Sequence, residues 1–209
     1  MPVSHFDNVG YFKKQLSSES MERLNEYIKN KKGSWSHQLV GHIDSSFLLQ
    51  DTDDWFFKKE LMPSIQEYRS GTRVDAHIIP SILNKNCQFK LDTMWVNFQK
   101  KHEFNPFHTH NGVFSFVVWV KIPAHFSEEI ALPFVSQSNS TFPNTFSLYY
   151  TNSAGRIINE DYHLSPEDEG TMLLFSSEKP HQVYPFYTSD DTRISISGNI
   201  VLDPTTAIK

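Results

Sequence analysis

The sequence predicts a mainly β fold, an antiparallel sandwich or barrel with two helices packed outside it. Three observations carry this. Eight short runs rich in apolar residues, separated by Gly, Pro, Asn, Asp and Ser clusters, follow one another between residues 74 and 202, the pattern of an all-β domain. The residues before Gly71 instead hold two stretches with apolar side chains at helical spacing. A chain of 209 residues with one cysteine can bury roughly 70% of its unfolded surface in one core without disulfide staples.

The first helix is expected over residues 15–32. Ser17 or Ser18 caps its start, Met21, Leu24 and Ile28 form its apolar face, and Gly33 takes the left-handed position at its end. Residues 35–50 read as extended. Asp51-Thr52-Asp53-Asp54 supplies capping chemistry for a second helix, whose stripe is Phe57, Leu61, Ile65 and Tyr68. Pro63 should kink or divide that helix, and Gly71 should end it. Strands are then expected at 74–82, 88–99, 113–122, 146–151, 156–164, 171–175, 181–187 and 193–202. The chain thus reads as one domain over 1–209, with 1–71 a helical support region and 72–203 the β core. Residues 136–144 (SQSNSTFPN) form the expected mobile loop, where a barrel would need a lid.

Charge and composition remove several function classes. The net charge is −5, and the densest basic cluster is only Lys29-Asn30-Lys31-Lys32, which makes nucleic acid an unlikely partner. Residues 1–14 have no apolar signal core, and the longest apolar run, 113–120, is too short to cross a bilayer as a helix. Cys87 has no partner cysteine, as suits a reducing compartment. A cytoplasmic protein without membrane contact is the expectation.

Two strands carry an informative alternation. Arg193, Ser195, Ser197 and Asn199 share one face, opposed by Ile194, Ile196 and Ile200; Trp95, Asn97 and Gln99 share another, opposed by Met94, Val96 and Phe98. With helices to cover the apolar side, the polar faces are expected to line a cavity. The candidate chemistry lies beside them. His108-Thr109-His110 puts two imidazoles on one side of an extended segment, His181 offers a third, and Arg193-Ile194-Ser195 adds a cation and a hydroxyl. Three imidazoles are general ligands for a first-row divalent metal, leaving coordination positions open opposite them.

The stretches Asn105 to Gly112 (NPFHTHNG), Phe114 to Pro123 (FSFVVWVKIP), Pro180-His181, Val183 to Phe186 (VYPF) and Arg193 to Asn199 (RISISGN) resemble the Fe(II)- and 2-oxoglutarate-dependent oxygenases. More narrowly, they resemble members of that superfamily encoded by marine bacteriophages. The similarity covers roughly residues 90–202 and extends faintly to Leu39-Val40-Gly41-His42-Ile43. It implies a double-stranded β-helix, or jelly-roll, with iron at its open end. The usual ligand set of the superfamily is H-x-D/E with a distant histidine. Here His108 and His181 match the histidines, and His110 stands in the carboxylate's place, so a three-histidine site, His108, His110 and His181, is implied. Glu103 is the nearby carboxylate that could substitute for His110.

By the same resemblance Fe(II) is the cofactor and 2-oxoglutarate the co-substrate. Arg193 and Ser195 then hold the far carboxylate of 2-oxoglutarate, with Asn97 as a further contact. Dioxygen and an unidentified substrate, a peptide side chain or a small molecule, complete the reaction, a hydroxylation of the prolyl-hydroxylase type coupled to release of succinate and CO2. A homodimer is an allowed assembly, and the host cytoplasm is the expected location if a phage encodes the chain. Two rival readings stay open. Gly170 to His181 also resembles the second motif of cupins, which would make a three-histidine metalloenzyme that does not use 2-oxoglutarate. A jelly-roll could also serve as a non-catalytic structural or binding protein of a phage.

Overall fold

The computed structural model describes residues 10–72 and 87–206. Its strands are β1 (Phe12–Gln15), β2 (Ser45–Leu48), β3 (Gln88–Gln99), β4 (Asn105–His108), β5 (Phe114–Lys121), β6 (Thr145–Thr151), β7 (Ile157–His163), β8 (Thr171–Ser176), β9 (His181–Val183) and β10 (Arg193–Asp203). Its helices are α1 (Ser18–Lys29), α2 (Met62–Gly71), α3 (Phe126–Ile130) and α4 (Pro133–Ser136). The strands form a six-stranded antiparallel sheet in the order β1-β8-β5-β10-β3-β2 and a four-stranded one in the order β4-β9-β6-β7, the two sheets of a jelly-roll. The expected strand at 74–82 lies outside the described residues.

Alternation along each strand of the large sheet divides two cores. Met94 and Val96 of β3, Phe114, Phe116 and Val118 of β5, Met172 and Leu174 of β8, and Ile196 and Ile200 of β10 pack with Leu24 of α1 and with Leu61 and Ile65 on the outer face. The residues between them point the other way. Val117, Trp119, Leu173 and Phe175 meet Phe146 and Leu148 of β6 in the space between the sheets. A pleated strand cannot send neighbouring side chains to the same face, so each central strand serves the helices and the lumen at once.

The helices begin and end as local chemistry dictates. Ser17 caps α1 by accepting from the Ser20 amide at 3.2 Å. Asp51 accepts from the Phe56 and Phe57 amides at 2.9 and 2.8 Å, so one carboxylate closes the start of the second helical segment. Pro63 lies inside that segment, where it has no N–H to give and crowds the carbonyl four residues back. The chain answers with a π-helical turn at Phe57–Leu61, immediately before the proline, with the Met62 amide bonded to the Phe57 carbonyl. The buried Glu60 then ties the layer together, accepting from Ser20 Oγ of α1 at 2.5 Å and Lys14 Nζ of β1 at 2.6 Å.

Several boundaries differ from the sequence expectation, each for a physical reason. The region before residue 72 is more than helical support: Phe12–Gln15 pairs with β8 and Ser45–Leu48 with β3, and these short strands cover both edges of the large sheet. Strand β9 stops at Val183. The Tyr184 carbonyl is taken by a side chain, and Pro185 cannot donate to a ladder. Strand β4 is four residues long with Pro106 inside it, so the sequence marks as extended only the histidine pair at its end.

Gly198 marks a close approach on the outer face. A Cβ there would lie 2.6 Å from the Phe116 ring and 2.6 Å from the Thr93 carbonyl. The backbone oxygen cannot swing aside. Gly198→Ala is therefore expected to lower stability by roughly 1–3 kcal/mol, as overpacked cores do. The measurement is the urea midpoint at constant slope; an unmoved midpoint would mean that β3 yields freely.

Candidate active site

The two sheets enclose a cavity of about 340 Å³ between them. Its large-sheet wall carries the polar faces foreseen from the alternation: Arg193, Ser195, Ser197 and Asn199 on β10, and Trp95, Asn97 and Gln99 on β3. Antiparallel register sets these opposite one another, Arg193 with Gln99, Ser195 with Asn97 and Ser197 with Trp95. The small sheet supplies His108 and His181.

Register explains how residues so far apart in sequence meet. His108 of β4 and His181 of β9 are cross-strand partners, and directly opposed side chains of an antiparallel pair sit with Cβ atoms about 4.5–5.5 Å apart. His110 follows just beyond β4, where its amide donates to the Ser177 carbonyl at 2.9 Å. The chain turns back at Gly112, with φ +120° and the Ile200 carbonyl 2.9 Å from where a Cβ would stand. Only a residue without a side chain fits that turn. The ring centroids of the three histidines are 4.2–4.9 Å apart, and one ligand atom from each lies within 4.8 Å of the others. Among the described residues this is the group of side chains that could hold a metal ion.

Their hydrogen bonds fix the tautomers. His108 Nδ1 lies 2.6 Å from the Pro106 carbonyl and His181 Nδ1 2.9 Å from the Lys179 carbonyl. A carbonyl only accepts, so both rings carry the proton on Nδ1 and leave Nε2 as a lone pair. His108 Nε2 is buried with no hydrogen-bond partner, an arrangement that costs about 1–3 kcal/mol unless a ligand satisfies it. His181 Nε2 and His110 Nε2 are 3.2 Å apart, close to the about 3 Å between neighbouring nitrogens bound to one ion at about 2.1 Å. Burial holds all three rings below the ordinary histidine range, and for His110 and His181 the neighbouring imidazoles add to it; His110 is pushed down to about 4. Three neutral imidazoles, two of them with the Nε2 lone pair fixed by a carbonyl, are what a divalent ion needs. The residues fit an Fe(II) ion.

Glu103 does not join them. Its carboxylate accepts from the Asp44 and Lys100 amides at 3.2 and 2.9 Å, closing a turn between β3 and β4. His102, another histidine near the cluster, packs against Tyr187 instead.

Arg193 is fully buried. Its Nε–H donates to Gln99 Oε1 at 3.2 Å, Nη1 to Asn144 Oδ1 at 2.7 Å and Nη2 to the Tyr184 carbonyl at 3.0 Å, while the Phe186 ring lies 5.2 Å from Cζ. Burial lowers its pKa to about 9, with the charge of Glu129 acting the other way, so the guanidinium stays protonated at neutral pH. Ser195 lines the cavity two residues along. Asn97 does too, with its Oδ1 taken by Ser46 Oγ at 2.7 Å, so its amide Nδ2 is the donor it can offer.

The mouth of the cavity departs from expectation. Its lining includes Trp35, Gln38, Leu39, Val40 and Ile43 and nothing from 136–144, among the described residues. The segment before β2 is held against β4 by the His42 amide bonded to the Phe104 carbonyl at 2.9 Å, and Gly41 passes so near Asn105 that a Cβ would lie 2.9 Å from its Oδ1. The faint similarity at residues 39–43 was the available signal. The loop expected to form a lid instead runs inward to Asn144, which is fully buried.

The lowered histidine pKa values make a prediction for the metal-free chain. Between 6.5 and the folded values the unfolded chain binds more protons, so stability is full above 6.5 and is lost as pH falls towards about 4. The denaturant midpoint of chelator-treated protein should drop across that window, and His110→Ala should flatten the drop. A midpoint that rises on acidification would contradict the burial of these rings.

Comparison with known proteins gives the family. The model of the family described as "Putative 2OG-Fe(II) oxygenase" matches residues 93–199, a span containing all six residues singled out above. No curated protein matches significantly. Among solved structures, a 2OG-Fe(II) oxygenase family oxidoreductase from Burkholderia pseudomallei superposes with TM-score 0.58 at 12% identity, covering 96% of this chain and 87% of that one. HygX from Streptomyces hygroscopicus, solved with nickel, 2-oxoglutarate and hygromycin B, gives 0.53 at 8% identity over 94% and 84%. A Pseudomonas putida prolyl-4-hydroxylase gives 0.50 at 13% identity over 93% and 92%. At these identities the likenesses establish the jelly-roll fold, and the family match establishes the chemistry: the chain belongs to the Fe(II)- and 2-oxoglutarate-dependent oxygenases, enzymes that bring iron, 2-oxoglutarate, dioxygen and a substrate together.

Proposed function

We propose that His108, His110 and His181 are the iron ligands, that Arg193 holds the far carboxylate of 2-oxoglutarate with Ser195 and Asn97 beside it, and that the enzyme hydroxylates a C–H bond of its substrate. The observation that carries this reading is one cavity holding both a buried, partnerless imidazole nitrogen and a buried guanidinium. When bound, the iron supplies oxygen activation coupled to decarboxylation of 2-oxoglutarate, so that the C–H bond becomes C–OH while succinate and CO2 leave.

The chain's own residues do the placing. Three neutral imidazoles leave the ion its full double charge, where a carboxylate ligand would take away one, and this favours chelation of an anionic 2-oxo acid. The carbonyls of Pro106 and Lys179 hold two of the rings in one tautomer and orientation. Arg193 offers N–H groups in a planar fork suited to a carboxylate. The wall formed by Trp35, Gln38, Leu39 and Val40 at the mouth contacts the primary substrate and keeps bulk water from the reacting atoms. The single cysteine accords with work in a reducing cytoplasm, and among the described residues no helix is long and apolar enough to cross a membrane.

Replacing any one of the three histidines by alanine should abolish stoichiometric iron binding, read by metal analysis after anaerobic loading. Arg193→Ala should keep the iron and raise the KM for 2-oxoglutarate about 30-fold or more, the loss of about 2 kcal/mol expected when one partner of a buried charge pair is removed. The assay is succinate release. An unchanged KM would remove Arg193 from this role, and retained iron in all three histidine variants would remove the metal centre.

A further inference from the structure

Arg193 is a fully buried cation whose hydrogen-bonding partners are all neutral oxygens: the Gln99 amide, the Asn144 amide and the Tyr184 carbonyl. Among the described residues no carboxylate forms an ion pair with it. The acidic group whose charge reaches it, Glu129, is itself fully buried and fully engaged. Its oxygens accept from the Tyr187 amide, the Thr188 amide and the Thr188 hydroxyl at 2.7–3.0 Å. Buried charges are ordinarily paired, so this arrangement leaves the pairing to something else.

Asn144 is built for that task. It sits at φ +52°, a left-handed conformation that asparagine tolerates better than most side chains. Its Nδ2 donates to the Ala124 and Leu164 carbonyls at 2.9 and 2.8 Å. Two carbonyl acceptors leave no choice of amide orientation, so Oδ1 must face the guanidinium. The Asn144 amide also donates to the Pro185 carbonyl at 2.8 Å, next to the residue whose carbonyl takes Nη2. Gln99 is similarly committed, with its Nε2 on the Glu103 carbonyl at 2.5 Å and its Oε1 on Arg193.

We propose that Asn144 and Gln99 are positioning residues for co-substrate selection: they aim the Arg193 guanidinium with uncharged oxygens, so that its positive charge stays available to the distal carboxylate of 2-oxoglutarate. This rests on Arg193 being the carboxylate clamp. An acidic side chain at either position would still offer the fork an oxygen but would cancel its charge, and an incoming dicarboxylate would meet a neutral pair.

The test is the dissociation constant of 2-oxoglutarate, measured by titration calorimetry on the full chain loaded with Mn(II) without oxygen, with the Mn(II) affinity as the check on the metal site. Gln99→Glu and Asn144→Asp should weaken 2-oxoglutarate by about tenfold or more, while the neutral, similarly sized Gln99→Met should weaken it by less than about threefold, with Mn(II) binding kept in all three. Both variants at position 99 lose the donor to the Glu103 carbonyl and differ in what they present to Arg193, so a role confined to holding the guanidinium predicts the opposite ranking, because Met loses the acceptor and Glu keeps it. If Asn144→Asp does not fold, having lost two donated hydrogen bonds, the Gln99 pair still decides. Gln99→Glu binding 2-oxoglutarate as well as Gln99→Met would overturn the proposal. Arg193→Ala separates the two levels. Should it bind 2-oxoglutarate normally, the clamp itself fails; should it bind poorly while Gln99→Glu binds well, the clamp stands and the neutral-cage proposal falls.

Discussion

The pairing of β4 with β9 is the constraint on which the site depends. It sets His108 opposite His181, the rung on which His110, held by its own amide bond to the Ser177 carbonyl, completes the cluster. A shift of one residue would turn each side chain to the other face and separate the rings. The pairing is short and irregular, with a register shift between Asn105 and His108, so it draws support from elsewhere. The Tyr184 amide bonds to the Thr145 carbonyl, and β9 is held along its other side by β6. The site thus rests on a minor sheet whose own strands are brief, backed by a large sheet with a deep core on each face.

That large sheet resolves a conflict between stability and chemistry. An apolar outer face packs under the helices, which frees the inner face of β3 and β10 to carry amides, hydroxyls and a guanidinium. Burying Arg193 is unfavourable, and the lost hydration lowers its pKa to about 9. The chain compensates with three hydrogen bonds and an aromatic face and leaves the charge itself for a ligand. At the opposite side of the same sheet Glu60 is handled differently, buried and matched directly to Lys14. One buried charge is closed within the fold and the other is left open to the cavity.

Much of this was legible beforehand. The strands at 88–99 and 193–202 were readable because their alternation is strict, and the second helix because Leu61, Ile65 and Tyr68 repeat on one side. Proline masked the rest: Pro106 hides β4, and Pro185 ends β9 sooner than its apolar residues imply. Residues 136–144 suit a cavity mouth on composition alone, because Ser, Asn and Pro in a row look mobile. Asn144, at the end of that run, is instead one of the most enclosed polar side chains in the protein. Conversely, Trp35 to Ile43 has no periodicity to mark it, and its place comes from non-local contacts: the bridge of His42 to Phe104 and the Trp35 amide on the Ser46 carbonyl.

The sequence by itself determined which side chains could share a face and which kinds of chemistry they could perform, since alternation and residue type are properties of neighbours along the chain. It named the three histidines, the arginine and the polar strand faces. Tertiary structure alone decided that His110 and His181, 71 positions apart, bring their Nε2 atoms to 3.2 Å, and that Arg193 is held by neutral partners drawn from three separate segments. Those facts depend on the register of strands distant in sequence, and register is set by how the whole of both sheets packs.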